Sequence, residues 1–492
     1  MECIDWALNG LNRLVWGVPA LVLILGVGAY FSFRTRFAQL RFLPRAMVRF
    51  FGALGDDAPS DGQVSPFRAL CTALAATVGT GNLVGVAGAI ALGGPGSIFW
   101  MWVAAIAGMM TKFAEVLLAL RFRTVHGGEI LSGPMYIITR GLGQRWKPLA
   151  SAYCLFGVFA AFGVGNATQI NAVMTGVNQA AAYFGHSLSR TGNLVLTLGL
   201  AVLIGALLSG GAGRIGSAAE LLVPFVSCTY LILCTGALIL RASRIPDAFY
   251  AIFSGAFSPR AATGGAVGSV FLALRVGVSR GVFTNEAGMG TASIAHGAAK
   301  AVHPGQQALM GIMEVFLDTI VICTMTALVI LTSGAEIPYG VDAGALLTMD
   351  AFTRVYGPWV SVFLAGALSC FAFATVLGWS LYGARCAQFL LGPGCWKGFV
   401  LVQSAAVVLA GVLRTGTVWA VAEIMNGLMA VPNLIALVAL RKEVCRLTAE
   451  YEMKCGSYAA GGTYENIHQR KPLSAVPHAE IPSFRAGGKE TG

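Results

Sequence analysis

The residues from Pro66 to Leu92 form an apolar run that is long enough to cross a lipid bilayer, but the centre of the run is not apolar. There the chain reads Ala75-Ala76-Thr77-Val78-Gly79-Thr80-Gly81-Asn82, with glycine, threonine and asparagine where a plain anchor would carry leucine. Glycine weakens a helix, and an opened helix exposes backbone N–H and C=O groups that lipid cannot satisfy. The run therefore predicts a broken membrane helix whose exposed peptide groups face protein, water or a bound molecule.

The composition indicates a membrane protein that is helical throughout. Of the 492 residues, 56% are hydrophobic and 11% are charged, against about 25% charged residues in soluble domains. Runs of about 20 apolar residues predict eleven transmembrane helices. They are 14–33, 66–92, 96–120, 148–180, 194–209, 214–241, 263–297, 307–333, 358–390, 397–413 and 417–440. The formal charge of +11 comes mainly from loops and tail, so it does not indicate a nucleic-acid partner.

The basic residues also predict the orientation of the chain in a cytoplasmic membrane. The first run ends in Arg34-Thr35-Arg36, which is typical of an uncleaved anchor and not of a signal peptide. With the N-terminus outside, the first two inside loops carry five Lys or Arg residues each, and the C-terminus is cytoplasmic. The external segment 334–357 is expected to contain a short helix over the outer mouth.

Two glycine-rich segments divide the chain into halves. Gly79-Thr80-Gly81-Asn82 lies in a span that runs outward, and Gly288-Met289-Gly290-Thr291 lies in a span that runs inward. Matching interruptions in two oppositely inserted halves are the best sequence pointer to a transporter site. We expect one extra N-terminal helix and a cytoplasmic loop in 1–65, one repeat in 66–241, and an inverted repeat in 263–440. Residues 441–492 are polar and predict a disordered cytoplasmic tail.

Three further polar clusters lie inside apolar runs. Asn166 and Gln169 are three residues apart and predict a pocket wall, or else an interhelical hydrogen bond. Arg280 and Glu286 predict a gate or a proton acceptor, with a buried structural ion pair as the alternative. Thr375 and Trp379 are four residues apart, so a hydroxyl that could bind a cation lies below an indole.

The remaining ionisable residues do not predict an enzyme. Glu314 and Asp318 share a helix face, as do Lys112 and Glu115, and structural pairing is the expected role of both pairs. No nucleophile, histidine cluster or metal-binding pattern accompanies them, and the eleven scattered cysteines predict packing in a reduced protein. No phosphate-binding loop is present, so the sequence does not predict ATP as the driving force.

At these residues the chain closely resembles the alanine or glycine:cation symporter family, the bacterial and archaeal sodium:alanine symporters. The resemblance extends from about the first span to the eleventh. The matching strings are Ala76-Thr77-Val78-Gly79-Thr80-Gly81-Asn82, Gly93-Gly94-Pro95-Gly96, Phe99-Trp100-Met101-Trp102, Gly128-Glu129, Ser132-Gly133-Pro134-Met135-Tyr136, Gly210-Gly211-Ala212-Gly213-Arg214-Ile215 and Asn285-Glu286-Ala287-Gly288-Met289-Gly290.

The resemblance implies a leucine-transporter-like fold with five plus five inverted spans after one extra helix. It also implies sodium-coupled uptake of alanine or glycine, with D-alanine as a further candidate, and no cofactor other than the coupling ion. The substrate residues that it implies are Thr80, Gly81, Phe162, Gln169, Gly288, Met289 and Trp379, to which the pocket-wall pattern adds Asn166. Sodium would lie between the carbonyls near Ala75 and Val78 and the hydroxyl of Thr375, and the carbonyl of Thr77 with Asn82 would match a second cation position.

Two alternatives remain at this point. Proton coupling through Glu286 or Asp318 predicts uptake that persists without sodium and collapses with an uncoupler. A membrane-embedded enzyme would convert its substrate, but the sequence offers no catalytic constellation for it.

Overall fold

The computed structural model describes residues 10–11, 15–55, 64–258, 263, 269–341, 344–412 and 416–459. These residues are mostly helical, in agreement with the all-α prediction. In chain order the helices are α1 (Val18–Arg34), α2 (Ala38–Gly52), α3 (Pro66–Thr77), α4 (Val86–Gly93), α5 (Ser97–Phe122), α6 (Pro134–Tyr136), α7 (Lys147–Phe162), α8 (Thr168–Tyr183), α9 (Arg190–Leu208), α10 (Gly211–Leu240), α11 (Ile245–Phe257), α12 (Val270–Asn285), α13 (Ala292–His296), α14 (Pro304–Val315), α15 (Thr324–Ser333), α16 (Gly344–Tyr356), α17 (Val360–Leu391), α18 (Trp396–Val412), α19 (Gly416–Ala439) and α20 (Arg441–Ala459).

Tighter and wider helical turns join some of these helices. The 3₁₀ turns are Ala53–Gly55, Gln144–Trp146, Ala242–Arg244 and Pro393–Cys395, and the π turns are Gly81–Gly85, Ile137–Leu142, Gly163–Ala167 and Phe316–Cys323. Two of the π turns lie inside long continuous spans, Gln144–Tyr183 and Pro304–Ser333. Because a π turn changes the rotation of a helix, it alters which side chains share a face.

The apolar helices make this a multi-pass membrane protein. Within the described chain, seven helices are long and apolar enough to cross a bilayer, or up to ten when each bent pair is one span. Each of the eleven predicted segments contains a helix, but the count of eleven stays a prediction.

The segment after α1 departs from the predicted loop. It forms the amphipathic helix α2, which is bent by 83° from α1 at Arg36 and Phe37, both with positive φ. The apolar face of α2 buries Phe42 against the ring of Phe113, while Arg41 and other arginines lie on its remaining faces. The loop prediction failed here because the arginines lower the mean hydropathy of a helix that still has one apolar face.

The site is held between two groups of helices. α17 packs along α3, α7 and α8, and α5 packs against α12 and α14. A Cβ atom built on Gly378 would lie 2.8 Å from the backbone nitrogen of Ala76, so α17 approaches α3 backbone to backbone. This close approach brings the polar residues of α17 up to the interrupted span that follows α3.

Two short elements lie outside the long helices. The helix expected in 334–357 is present as α16, and the hydroxyl of its buried Thr348 donates to the carbonyl of Leu83, 2.9 Å away. The strands β1 (Thr124–His126) and β2 (Glu129–Leu131) form an antiparallel hairpin that the all-α prediction did not include. Its two-residue turn, Gly127-Gly128, has positive φ at both positions, which glycine adopts without strain.

The prediction of a disordered tail from residue 441 is wrong for its first part. Residues 441–459 form α20, in which Val444 and Leu447 are buried three residues apart. Glu443 pairs with Arg121 at 3.0 Å, so apolar contacts and an ion pair both hold the start of this helix. The low mean hydropathy of the segment did not reveal these contacts. Residues up to Leu447 belong to one compact unit, and those from Thr448 belong to another. Residues 460–492 lie outside the described part of the chain.

Candidate functional site

The first membrane helix that the sequence predicts to be broken is broken at Val78, Gly79 and Thr80. α3 ends at Thr77, the helix resumes at Gly81, and the two halves are bent by 51°. Val78 has an extended backbone with ψ 94°, and the N–H of Gly79 donates to Oδ1 of Asn82 at 2.9 Å. In an unbroken helix that N–H would donate to the carbonyl of Ala75, so the break replaces a backbone acceptor by a side chain.

Side chains from α8 and α17 meet at this break. The hydroxyl of Thr80 donates to Oε1 of Gln169 at 3.0 Å, and Nε2 of Gln169 donates to the carbonyl of Val164 at 3.1 Å. A Cβ atom on Gly79 would overlap Oγ1 of Thr375. Thr80, Gln169 and Thr375 are each at most 6% exposed, so three residues that the sequence singled out separately form one buried cluster.

The hydroxyl of Thr375 is the unusual member of this cluster. It is buried and has no hydrogen-bond partner among the described residues. A buried polar group without a partner costs about 1–3 kcal/mol, so such a group in a functional region points to a ligand. Thr375 faces Gly79, so its oxygen lies beside the break, where the N–H of Gly79 donates to Asn82 and not to the carbonyl of Ala75. Hydroxyl and carbonyl oxygens are hard donors of the kind that suits a small cation.

Trp379 lies one helical turn beyond Thr375 and is fully buried. A Cβ atom on Gly165 would overlap Cβ of Trp379, so the π turn Gly163–Ala167 packs directly on this residue. The indole N–H of Trp379 makes no hydrogen bond of good geometry among the described residues, but it interacts with the carboxylate of Glu286 at the second break. The role of Trp379 beside a substrate stays a prediction.

The second break lies between α12 and α13. Glu286, Gly288 and Gly290 have φ of 54°, 95° and 79°, which ends the helix and turns several N–H groups to one side. Oε1 of Glu115 accepts from the N–H of Gly288 at 3.0 Å and from the N–H of Gly290 at 3.1 Å. A carboxylate on α5 thus anchors the second break. The sequence did not reveal this role because nothing local to Glu115 indicates a partner 173 positions away.

Gly288, Met289 and Glu286, which the sequence assigned to the second break, are also fixed by hydrogen bonds or by burial. The amide of Asn433 donates to the carbonyl of Gly288 at 2.8 Å and to Oε1 of Glu115 at 2.7 Å. Met289 is completely buried. Glu286 accepts from the hydroxyl of Thr291 at 2.6 Å, whereas Arg280 lies six residues earlier on α12 and is partly exposed.

Helical spacing placed Glu314 beside Asp318 and Lys112 beside Glu115, but in the structure these residues bind partners on other helices. Lys112 pairs with Glu314 at 2.8 Å, and Glu314 also contacts Nε2 of His296 at 3.1 Å. Glu115 binds the second break, and Asp318 accepts from Asn82 at 2.7 Å. Helical spacing identified residues on a shared face, but packing between helices determined which of them meet.

Three predicted substrate residues face other elements. Nδ2 of Asn166 donates to the carbonyl of Gln403 on α18 at 3.0 Å. The ring of Phe162 stacks on Phe399, also on the α18 side, with centroids 5.4 Å apart. A Cβ atom on Gly81 would lie 3.3 Å from Oγ1 of Thr284 on α12. The structure therefore brings Thr80, Gln169 and Thr375 together but not Phe162 and Asn166.

A hollow of about 310 Å³ lies on the side of the site where α3 begins. Thr72, Ser132 and Leu381 line it, and its rim carries two ion pairs, Arg68–Glu220 and Arg385–Glu129, each at 2.7 Å. On the opposite side, α16 covers the π turn Gly81–Gly85 through the Thr348 hydrogen bond. The cluster thus has a covered side and a side with a hollow large enough to hold water.

The chain is similar in sequence to known transporters. A sequence profile described as the sodium:alanine symporter family matches residues 1–461. The chain is 44% identical over 440 residues to the sodium/alanine symporter AgcS of Methanococcus maripaludis, covering 88% of this chain and 94% of that protein. It is 43% identical over 462 residues to an uncharacterized transporter of Haemophilus influenzae, covering 91% and 96% of the two chains.

The fold also occurs in solved structures. The crystal structure of MhsT in complex with L-phenylalanine matches with a TM-score of 0.54 at 14% identity, covering 78% of this chain and 90% of that chain. At this identity the match concerns the fold alone, and it supports the leucine-transporter-like fold that the sequence motifs implied.

Proposed function

The chain belongs to the sodium:alanine symporter family, and we propose that it imports a small amino acid, alanine or glycine, together with sodium. Membership makes it a sodium-coupled amino-acid symporter and not an enzyme. D-alanine is a further candidate substrate. The observation that carries the proposal is the break at Val78–Thr80, where the hydroxyl of Thr80 donates to Gln169 and Gly79 faces the unpartnered hydroxyl of Thr375.

The proposed architecture is eleven spans, with residues 66–241 and 263–440 as inverted repeats after one extra helix. The two breaks support it, because one interrupts the first span of each half. The N-terminus is proposed to be outside and the C-terminus cytoplasmic. In this orientation the hollow beside α3 opens toward the cytoplasm and α16 covers the outer side, as in the inward-facing state of an alternating-access cycle.

The substrate is proposed to lie between the two breaks. Its carboxylate would bind the hydroxyl of Thr80 and the N–H groups of the broken helix near Gly81, since the start of a half-helix attracts an anion. Its amino group would lie near Gln169 and the backbone of Gly288 and Met289. Thr80 and Gln169 already bond each other at 3.0 Å, so the substrate would exchange a bond between two side chains for bonds to itself.

Sodium is proposed to bind the carbonyls of Ala75 and Val78 and Oγ1 of Thr375. The unpartnered hydroxyl of Thr375 supports this position. The second cation position implied by the carbonyl of Thr77 and by Asn82 has weaker support, because both ends of the Asn82 amide are already engaged, by Gly79 and by Asp318.

Coupling follows from what the ion does to the break. A cation among the freed carbonyls stabilises the open form of the helix, and the open form is the one that offers N–H groups to the substrate. Each ligand then raises the affinity for the other by the same factor. Sodium entry supplies about 2.3 kcal/mol per charge for each 100 mV of membrane potential.

Proton coupling is a second candidate because the described buried residues include more carboxylates than ammonium groups. Glu115, Glu286, Glu314 and Asp318 are all buried, and Lys112 is the ammonium that pairs with one of them. A buried charge without a counterion is costly, so protonation of Glu286 or Asp318 would reduce the imbalance.

Uptake of radiolabelled alanine into proteoliposomes tests both candidates. A sodium gradient should drive uptake, a potassium gradient should not, and a proton gradient alone should be ineffective if sodium is the coupling ion. Thr80→Ala should reduce uptake by at least about tenfold, as expected for loss of a charge-assisted hydrogen bond. Thr235→Ala, the same change at an exposed position of α10, is the control. Unchanged uptake by Thr80→Ala would remove the proposed site.

A further inference from the structure

Asp318 receives hydrogen bonds that begin at both helix breaks. It lies in the π turn Phe316–Cys323, in the middle of the span Pro304–Ser333, and is completely buried. Oδ1 accepts from Nδ2 of Asn82 and Oδ2 accepts from the hydroxyl of Thr319, each at 2.7 Å. The described part of the chain places no lysine, arginine or histidine within ion-pair distance of this carboxylate.

Two series of hydrogen bonds, here called arms, lead to Asp318, and the first arm connects it to the break at Val78–Thr80. The N–H of Gly79 donates to Oδ1 of Asn82 at 2.9 Å, and the amide nitrogen of Asn82 donates to Asp318. The same nitrogen lies 3.1 Å from the backbone carbonyl of Asp318. Asn82 thus links one peptide group of the first break to Asp318 through two consecutive hydrogen bonds.

The second arm connects Asp318 to the break after α12. The N–H of Ala287 donates to Oδ1 of Asn285 at 3.0 Å, and Nδ2 of Asn285 donates to the hydroxyl of Thr319 at 3.2 Å. That hydroxyl donates in turn to Asp318. Both arms therefore start at a backbone N–H of a break, and in both every donor points toward the same carboxylate.

We propose that Asp318 is a positioning residue that makes the two helix breaks open and close together. A carboxylate suits this role because both of its oxygens accept, whereas an amide offers one acceptor and one donor. In the proposed cycle the N–H of Gly79 binds Asn82 in the open form, which is the one in this structure, and would bind the carbonyl of Ala75 in a helical form. When the N–H of Gly79 no longer binds Asn82, the Asn82 side chain can move away from Asp318. The Asp318 carboxylate and its other donor Thr319 then also shift, which alters the hydrogen bonds that Asn285 makes to Thr319 and Ala287.

The proposal rests on the proposed function, because it concerns how sodium at the first break raises affinity for a substrate that also contacts the second. The measured quantity is the coupling factor, the ratio of alanine dissociation constants without and with saturating sodium, determined on purified protein. Coupling factors are commonly about 5- to 150-fold, and the effect of alanine on sodium affinity must equal that of sodium on alanine affinity. Both directions are therefore measured.

The decisive variants change the middle of the second arm. Thr319→Val keeps the shape but removes the hydroxyl, and its coupling factor should fall by about tenfold or to unity, since a hydrogen bond to a charged group is lost. Thr319→Ser keeps the hydroxyl and should retain the coupling factor of the unmodified protein. Thr326→Val is the control, because it removes a buried hydroxyl, bonded to Tyr230 at 2.8 Å, from the same span.

A charge exchange tests the first arm. Asn82→Asp places two carboxylates face to face, and Asp318→Asn leaves one acceptor oxygen for the two donors Asn82 and Thr319, so each variant should lose coupling. In the double variant Asn82→Asp/Asp318→Asn, the new amide at position 318 donates to the new carboxylate at position 82 and still accepts from Thr319. The carboxylate at position 82 still accepts from the N–H of Gly79. Coupling should recover in part, to a factor above that of either single variant, a non-additive result expected of residues in direct contact. Recovery is partial because the carboxylate at position 82 also faces the backbone carbonyl of residue 318.

The outcomes separate this proposal from the proposed function. If the unmodified protein shows no effect of sodium on alanine binding, both fail. If it shows coupling and Thr319→Val shows the same coupling factor, Asp318 does not link the breaks and only the present proposal fails. A purely structural role for the arm would lower the stability of Thr319→Val but leave the coupling factor of the folded fraction unchanged, which also overturns the proposal.

Discussion

The ammonium of Lys112 and the carboxylate of Glu314 lie 2.8 Å apart, although 202 positions separate the two residues in the chain. Both side chains are at most 1% exposed, and the contact joins α5 to α14 beside the second break. Removing one member of a buried pair leaves the other charge without compensation, which costs far more than the pair contributes.

This relationship predicts an asymmetric effect on stability. Lys112→Met should lower the free energy of unfolding by about 3–5 kcal/mol, whereas Lys112→Met/Glu314→Gln should be less destabilised because no charge is stranded. The measurement is thermal unfolding of the purified protein in detergent. Arg354→Met, which breaks the exposed pair with Asp350, should cost about 1 kcal/mol or less. Equal losses for the buried and exposed variants would contradict the prediction.

Gly79 is predicted to be intolerant of a side chain. In Gly79→Ala the added Cβ would overlap Oγ1 of Thr375, so either the break or α17 must move. We expect sodium-driven alanine uptake to fall by about a hundredfold, a size typical of small misplacements in a functional site. Gly366→Ala on α17, where a Cβ would meet nothing within 4 Å, should transport normally. Normal uptake by Gly79→Ala would show that the break does not operate in this packing.

The hydroxyl of Thr375 is predicted to bind the coupling ion. Thr375→Val preserves the shape and removes the oxygen, so the sodium concentration for half-maximal uptake should rise by about tenfold or more, consistent with loss of one good ligand. Thr375→Ser retains the oxygen and should stay within about threefold of the unmodified protein. Sodium titrations of uptake at saturating alanine provide the comparison. Identical sodium dependence of the valine and serine variants would place the ion elsewhere.

Trp379 is predicted to limit the size of the substrate. Trp379→Phe should admit larger amino acids because it removes indole volume beside the cluster, and one or two methylenes are worth about 1–3 kcal/mol in such a pocket. Competition of labelled alanine uptake by glycine, 2-aminobutyrate and leucine measures the change. Gly165→Ala should also change the substrate range, since its Cβ would overlap Cβ of Trp379 and force that residue to move. If both variants kept the substrate range of the unmodified protein, Trp379 would not line the pocket.

Asn166 and Gln169 mark the point at which the sequence pattern ceases to predict the site. The two residues share a face in a regular α-helix, and the sequence therefore predicts a pocket wall from both, or else an interhelical hydrogen bond. In the structure Gln169 contacts Thr80, but Asn166 lies in the π turn Gly163–Ala167 and donates to Gln403. A π turn adds a residue to the turn and shifts the helical phase, which the spacing of residue types alone did not reveal.

The chain by itself determined the membrane class, the breaks at Val78–Thr80 and after Asn285, and the motifs that identify the family. These properties are local: apolar length, glycine content and the order of residues within a few turns fix them. Only the tertiary structure decided that Lys112 meets Glu314 and that Asn82 meets Asp318, whose carboxylate also accepts from Thr319. Such partners depend on how distant helices rotate and approach each other, because a hydrogen bond forms only within about 3 Å and in the right direction.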